Sequence, residues 1–464
     1  MTTPGFYNKL IISSIFPFKT DKRPTISKTR RHSFLDGLAL LLNDSNQSTS
    51  VYPLLKENKI LITRNKQLKD NDEEYFDKFF GLIREYSQHC LTSNQHGMHE
   101  IYSSLESIVF EYNKRKCIDR IIDYLFNDVV SNLEKLPNNN VDDLCQKITY
   151  NKLNKGSADY YHLKDNKMSL KEYILILFNW IKFIISNRDS IRNNKSNLEL
   201  KIILKFQATA ELLYHSRIFR SMLSIVYSID NVERILYYLD KVSAHRLSLN
   251  LILKTLEKRK SEYGERYKNI QWSFIEPIEK VVELKETPSS SFDKIWSACG
   301  LQNDQTKTAF QNEYIQNKFV EYDSSLKLST CLHSEIRMID CLIEQNIKEV
   351  HDKDVEIGIS KLPCYLCSIY IEKLNIDFNR MFYVGSLITD GKIYPNWMFR
   401  NNEEDKIINY VNDQLYTFIK NDLQLLQSRI RTKSGDSDKQ EIDIDDDDVN
   451  NAYMLRAMKE IEEQ

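Results

Sequence analysis

Glycine and proline are scarce in this chain, 11 and 9 of 464 residues, against ordinary usage of about 7% and about 5%. So few tight-turn residues and breakers exclude a sandwich, a propeller or a collagen-like fibre, and leave long helices. Long apolar runs are lacking as well. The longest, residues 173–185 (YILILFNWIKFII), is too short to span a bilayer and is interrupted by Asn179 and Lys182. The apolar run at residues 10–18 is broken by Ser13, Ser14 and Pro17, which makes a poor signal sequence. Eight cysteines are too few for a disulfide framework. Reduced thiols, an intracellular setting (cytoplasmic or nuclear) and no membrane association are therefore expected.

Apolar residues (41%) and aromatics (11%) are plentiful enough to build packed cores, so the chain as a whole is not a disordered polymer. Charge is nearly balanced overall at −2 but uneven along the chain. Residues 1–289 carry 44 Lys and Arg against 35 Asp and Glu, whereas 401–464 carry 8 against 16. A basic N-terminal part, whose charge could supply phosphate affinity, and an acidic tail are the main asymmetry.

The first 289 residues read as a succession of helices. Leu, Ile, Phe and Tyr recur three and four apart in 33–42 (Ser33 as N-cap), 73–87, 100–112, 170–185 and 198–227. A basic arm at 19–31 (KTDKRPTISKTRR) lies in a flexible leader, 1–32. Pro and Ser at 286–291 (ETPSSS) mark a boundary, after which the texture changes. The runs 318–323 and 326–332 suggest a hairpin. Residues 355–360 and 381–386 are further strand candidates, and helical patterns occupy 335–345, 364–374 and 403–430. The expected fold is thus α+β. An all-helical region (1–289) precedes an α/β domain (290–432) with a central mixed sheet flanked by helices. An acidic linker and a short helix, 452–462, end the chain (433–464).

Chemistry concentrates in His333-Ser334-Glu335 and in Pro363-Cys364-Tyr365-Leu366-Cys367. Imidazole and thiolates are good zinc ligands, and a catalytic zinc keeps three protein ligands with one position open for water. His333, Cys364 and Cys367 supply three. Cys364 and Cys367 are three apart, so at a helix start both sulfurs face one side. Glu335 is a poor zinc ligand here but is close enough in sequence to reach a metal-bound water and take its proton. Cys331, two residues before His333, is the residue that could close the site as a fourth ligand, with Cys341 and His351 as remoter versions. His89, Cys90, His96 and His99 form a looser cluster that a polar loop explains as well. Tyr394 and Trp397 are candidates for stacking on a base or for core packing.

The H-x-E…P-C-x-x-C pattern belongs to zinc nucleobase deaminases. With it, Ile359-Ser360-Lys361 before Pro363 and Asp390-Gly391-Lys392-Ile393-Tyr394-Pro395-Asn396-Trp397 after it resemble the cytidine deaminase-like superfamily. Within that superfamily the chain is most similar to the branch of predicted nucleic-acid deaminases found in Orientia and fungi. Asp390 stands where that branch carries His, and Leu362 where the superfamily often has a small residue. The resemblance implies Zn2+ as cofactor, His333, Cys364 and Cys367 as ligands, and Glu335 as catalytic proton shuttle. It also implies hydrolytic deamination of cytosine or adenine in RNA or DNA. The alternative reading is a non-catalytic, zinc-stabilised protein whose helical region binds protein partners.

Overall fold

The computed structural model describes residues 5–15, 30–43, 47–54, 56–136, 139–148, 153, 157–193, 198–299, 307–308, 311, 319–344, 355–377, 381–384 and 389–433. In chain order the main elements begin with α1 (Phe6–Ser14), α2 (Arg30–Leu41), β1 (Thr49–Leu54), β2 (Lys59–Arg64) and α3 (Asp70–Thr92). Next come α4 (Gln95–Tyr112), α5 (Leu170–Ser186), α6 (Leu200–His215), α7 (Arg217–Val226) and α8 (Ile229–Lys258). β3 (Gln271–Ile275), β4 (Glu279–Glu283), α9 (Pro288–Ala298), α10 (Val320–Ser325), β5 (Lys327–Cys331) and α11 (Ser334–Glu344) follow. β6 (Val355–Ile359), α12 (Tyr365–Asp377), β7 (Phe382–Val384) and α13 (Asp405–Lys433) complete the series. The fold is α+β.

The chain divides into two units, Met1–Glu73 with Ile270–Asp443, and Glu74–Asn269 with Ile444–Gln464. This differs from a boundary at 289/290, because the first unit takes strands from both ends of the region expected to be helical. Its mixed sheet has the order β3-β2-β1-β6-β7, with β1 antiparallel to β2 and β6, β2 parallel to β3, and β6 parallel to β7. A second, antiparallel pair joins β4 to β5. The hairpin expected from 318–323 and 326–332 is therefore not formed: Val320–Ser325 is helical, and β5 pairs with β4 from before α9. The expected leader is also partly structured. Phe6, Leu10, Ile11 and Ile12 of α1 are fully buried in the same core as α11, α12 and α13. Helix α2 begins at Arg30, so Ser33 lies inside it and does not cap it. Helix α2 packs on β6 so closely that a Cβ on Gly358 would meet the Leu35 carbonyl at 2.4 Å, which only glycine permits.

Polar caps organise the helical unit. Ser169 opens α5 with a capping box to Glu172. The stretch expected as one helix over 198–227 is two, and the break is specified. The Asp159 carboxylate accepts from the Ser216 hydroxyl (2.7 Å) and the Arg217 N–H (2.7 Å), while Ser216 Oγ caps Phe219. His89, from the loose histidine cluster, is held by Asn94 (3.2 Å), and no metal-type grouping forms there among the described residues. Residues 16–29, 137–138, 351 and 434–464, which include much of the basic arm, His351 and the acidic tail with its helix, lie outside the described residues. No helix among the described residues is long and apolar enough to cross a membrane.

Asp422 on α13 is 6% exposed, and burial raises its carboxyl to about 7. An acid raised in this way holds its proton in the folded state after the unfolded chain has released it, so stability falls as pH climbs from about 4 to about 7. Asp422→Asn should accordingly raise the melting temperature at pH 8 by about 2–8 °C, the equivalent of ~1–2 kcal/mol. Near pH 4 the two proteins should melt together. Differential scanning calorimetry at both pH values checks this, and an equal shift at both would refute it.

Candidate active site

Two strand-to-helix junctions build the site. β5 runs through Leu332 to His333, immediately before α11, and β6 runs through residues 360–363 to Cys364, immediately before α12. The His333 Nδ1 lies 3.6 Å from Cys364 Sγ and 3.4 Å from Cys367 Sγ, and the three donor atoms fall within 4.8 Å of one another. All three residues are buried. Zn–N and Zn–S bonds of about 2.0 and 2.3 Å in a tetrahedral shell place N and S about 3.5 Å apart, so this donor set fits zinc. Cys331 stands outside the group. Its buried sulfur instead accepts from Asn396 Nδ2 at 3.3 Å, and burial pushes its thiol up to about 12.

The surroundings bias the protonation of these donors. Burial depresses the His333 imidazolium, but Cys364, helped by Glu335 and Asn396, more than offsets this and holds it at about 9. Burial likewise works against a Cys364 thiolate, yet hydrogen bonding from Cys367 and the charge of His333 bring it down to about 6. Cys367 moves the other way, raised by burial and then by Cys364. The backbone N–H of Cys367 also points at Cys364 Sγ (3.4 Å), and Trp397 Nε1 donates to Cys367 Sγ (3.2 Å). Trp397, fully buried, is therefore core and sulfur support. Tyr394 differs: it is 40% exposed, its ring lies edge-on to His333 with centroids 6.0 Å apart, and its hydroxyl donates to Asp390 (2.9 Å).

Glu335 occupies the first turn of α11, buried, with its carboxylate accepting from Ser334 Oγ (3.2 Å) and within hydrogen-bonding reach of Cys367. Ser334 is in turn fixed by three side chains from the N-terminal hairpin. Ser50 Oγ donates to Ser334 Oγ (2.9 Å), Thr63 Oγ1 to its carbonyl (2.8 Å), and Asn65 Oδ1 accepts its N–H (2.8 Å). Sequence reasoning missed these residues. The signal lay in residues 49–64, two runs of β-branched and aromatic residues around a polar turn in which Asn58 takes a left-handed conformation (φ 51°).

The site is a buried His, Cys and Cys donor triangle at two helix starts, able to hold a metal ion, with a carboxylate alongside and a mixed sheet behind. Residues 332–401 match the family model described as OTT_1508_deam-like deaminase, and that stretch is deaminase-like, in keeping with the cytidine deaminase-like superfamily. Searches of curated proteins and of solved structures find no match to the chain. The matched stretch contains His333, Glu335, Cys364, Cys367 and Trp397. Ser50, Thr63 and Asn65 lie outside it.

Proposed function

We propose that this protein is a zinc-dependent deaminase that hydrolyses the exocyclic amine of cytosine or adenine, with RNA or DNA as its substrate. The convergence of His333, Cys364 and Cys367 within 4.8 Å carries this reading. Zinc held by these three would acidify a water molecule at the open fourth position. The chain's own groups do the rest. Cys364 and Cys367 offer sulfur from the start of α12, where the helix dipole and the Cys367 N–H favour negative charge. Glu335 takes the proton of the attacking water and gives it to the leaving amine, so that base and water become the keto base and ammonia. Ser334 aims that carboxylate. Tyr394, exposed beside His333, offers a face or edge for a base. The helical unit carries 30 Lys and Arg against 24 Asp and Glu over residues 74–269, an excess that supports phosphate contact.

Zinc per chain, measured by mass spectrometry on the purified protein and two variants, tests the centre. About one zinc is expected, retained in Cys331→Ser and lost in Cys364→Ser. A screen of single-stranded DNA and RNA for uracil or hypoxanthine formation tests the reaction. Loss of zinc in both variants would mean a closed centre and would favour the interaction-protein reading, with the helical unit as its platform.

A further inference from the structure

A groove of about 1170 Å³ opens on the first unit, away from the zinc-type donors. One wall is β4, and the other is formed by residues 398–403 and the start of α13, with Asp405, Ile408 and Asn409 along it. Tyr7, Met398 and Phe399 add apolar lining. Four consecutive β4 residues, Lys280 to Glu283, line this groove. Successive side chains of a strand point to opposite faces, so a wall that includes all four is the strand's backbone edge.

The ladder confirms which backbone groups face outward. Leu284 N–H donates to the Leu326 carbonyl and Leu332 N–H to the Ile278 carbonyl, in the register that pairs Glu279 with Cys331. The even-numbered residues of β4 are therefore the ones bonded to β5. The N–H and C=O of Glu279, Val281 and Glu283 point away from it. Among the described residues no strand pairs with that side of β4, and Val281 is 60% exposed.

We propose that this groove receives an extended segment of a partner protein, which adds as a strand to β4 with its other flank against the start of α13. Charge selects the segment. Glu279, Val281 and Glu283 share one face of β4, with Lys280 on the other and Arg400 across the groove paired with Glu403, so on that face the complementary strand carries an apolar residue flanked at two positions on either side by Lys or Arg. A second copy of this chain is the poorer occupant. The antiparallel self-pairing that uses all three outward residues sets Glu279 against Glu283 twice.

The test uses the full chain and two fluorescein-labelled heptapeptides, Ser-Lys-Thr-Val-Thr-Lys-Ser and its acidic counterpart Ser-Glu-Thr-Val-Thr-Glu-Ser, read by fluorescence anisotropy. The basic peptide is expected to bind at least ~10-fold tighter than the acidic one, since two opposed charge pairs change sign. Val281→Pro deletes an outward N–H while sparing every bond to β5, so it should weaken the basic peptide ~10-fold or more with the melting temperature nearly unchanged. The double variant Glu279→Lys, Glu283→Lys should reverse the peptide preference, and it carries the test if the proline variant does not fold. Equal affinity for the two peptides, no binding up to millimolar peptide, or unchanged binding in a folded Val281→Pro protein overturns the proposal. So does concentration-dependent dimerisation through β4 seen by analytical ultracentrifugation.

Discussion

Glu335→Gln is expected to retain its zinc and to lose about 100- to 10,000-fold in turnover, the usual contribution of one positioned general acid and base. The substitution is nearly isosteric. Its amide oxygen can still accept from Ser334 Oγ, which bonds the native carboxylate at 3.2 Å, so the helix start keeps its shape. What it loses is the ability to hold a proton between water and leaving amine. Ammonia release under saturating substrate, alongside metal content and melting temperature, separates the outcomes. Turnover within a few fold of wild type, with zinc intact, would remove Glu335 from the chemistry. Unmeasurable turnover with zinc lost would instead indicate that the change damaged the centre.

Asp72→Ala should strongly destabilise the first unit. Arg64 at the end of β2 has a fully buried side chain, and its Nη1 lies 2.8 Å from Asp72 Oδ2, also buried. The same guanidinium donates to the Leu42 carbonyl at the end of α2, and Asp72 Oδ2 also accepts from the Lys69 N–H at 2.9 Å. This pair ties α2, β2 and the start of α3 together. Removing the carboxylate breaks this buried ion pair from one side, which costs about 3–5 kcal/mol. Chemical denaturation should show that loss in the transition of the first unit. The double change Asp72→Ala, Arg64→Met should recover much of it, because no buried charge is then left over. A loss below about 1 kcal/mol in the single variant would mean that the guanidinium finds water on unpairing.

What could be read from residues alone was chemistry at short range. His333 and Glu335 are two apart, Cys364 and Cys367 three apart, and each group sits where a strand candidate meets a helical pattern. The structure places His333, Cys364 and Cys367 within 4.8 Å of one another. Long-range pairing was not legible. Pro53 within residues 49–54 argues against a strand, yet β1 forms and is paired on both sides, and its Ser50 meets Ser334 across 284 positions of chain. The 318–332 stretch alternates like a hairpin. Val320–Ser325 nevertheless closes as a helix ending at Leu326 in a left-handed conformation (φ 51°), and β5 finds β4 instead. Composition placed residues 1–289 together as helical because α3 to α8 dominate that count. Four short strands were submerged in it. A fragment cut at residue 290 would therefore lack β1 to β4 and the three side chains that hold Ser334.

The parallel neighbours β2 and β3 are separated in sequence by the whole helical unit, since Lys59 pairs with Gln271. On the ribosome, at about 5–20 residues per second, roughly 10–40 seconds pass between the emergence of those two strands. Still longer passes before β6 arrives to cover the other flank of β1. Throughout that interval a hairpin with Val51, Ile60 and Ile62, all buried in the finished molecule, has two open edges and no sheet to join. The helical unit can complete its own folding in the same window. Any demand for chaperones should therefore fall on the first seventy residues and end only when β6 has been made.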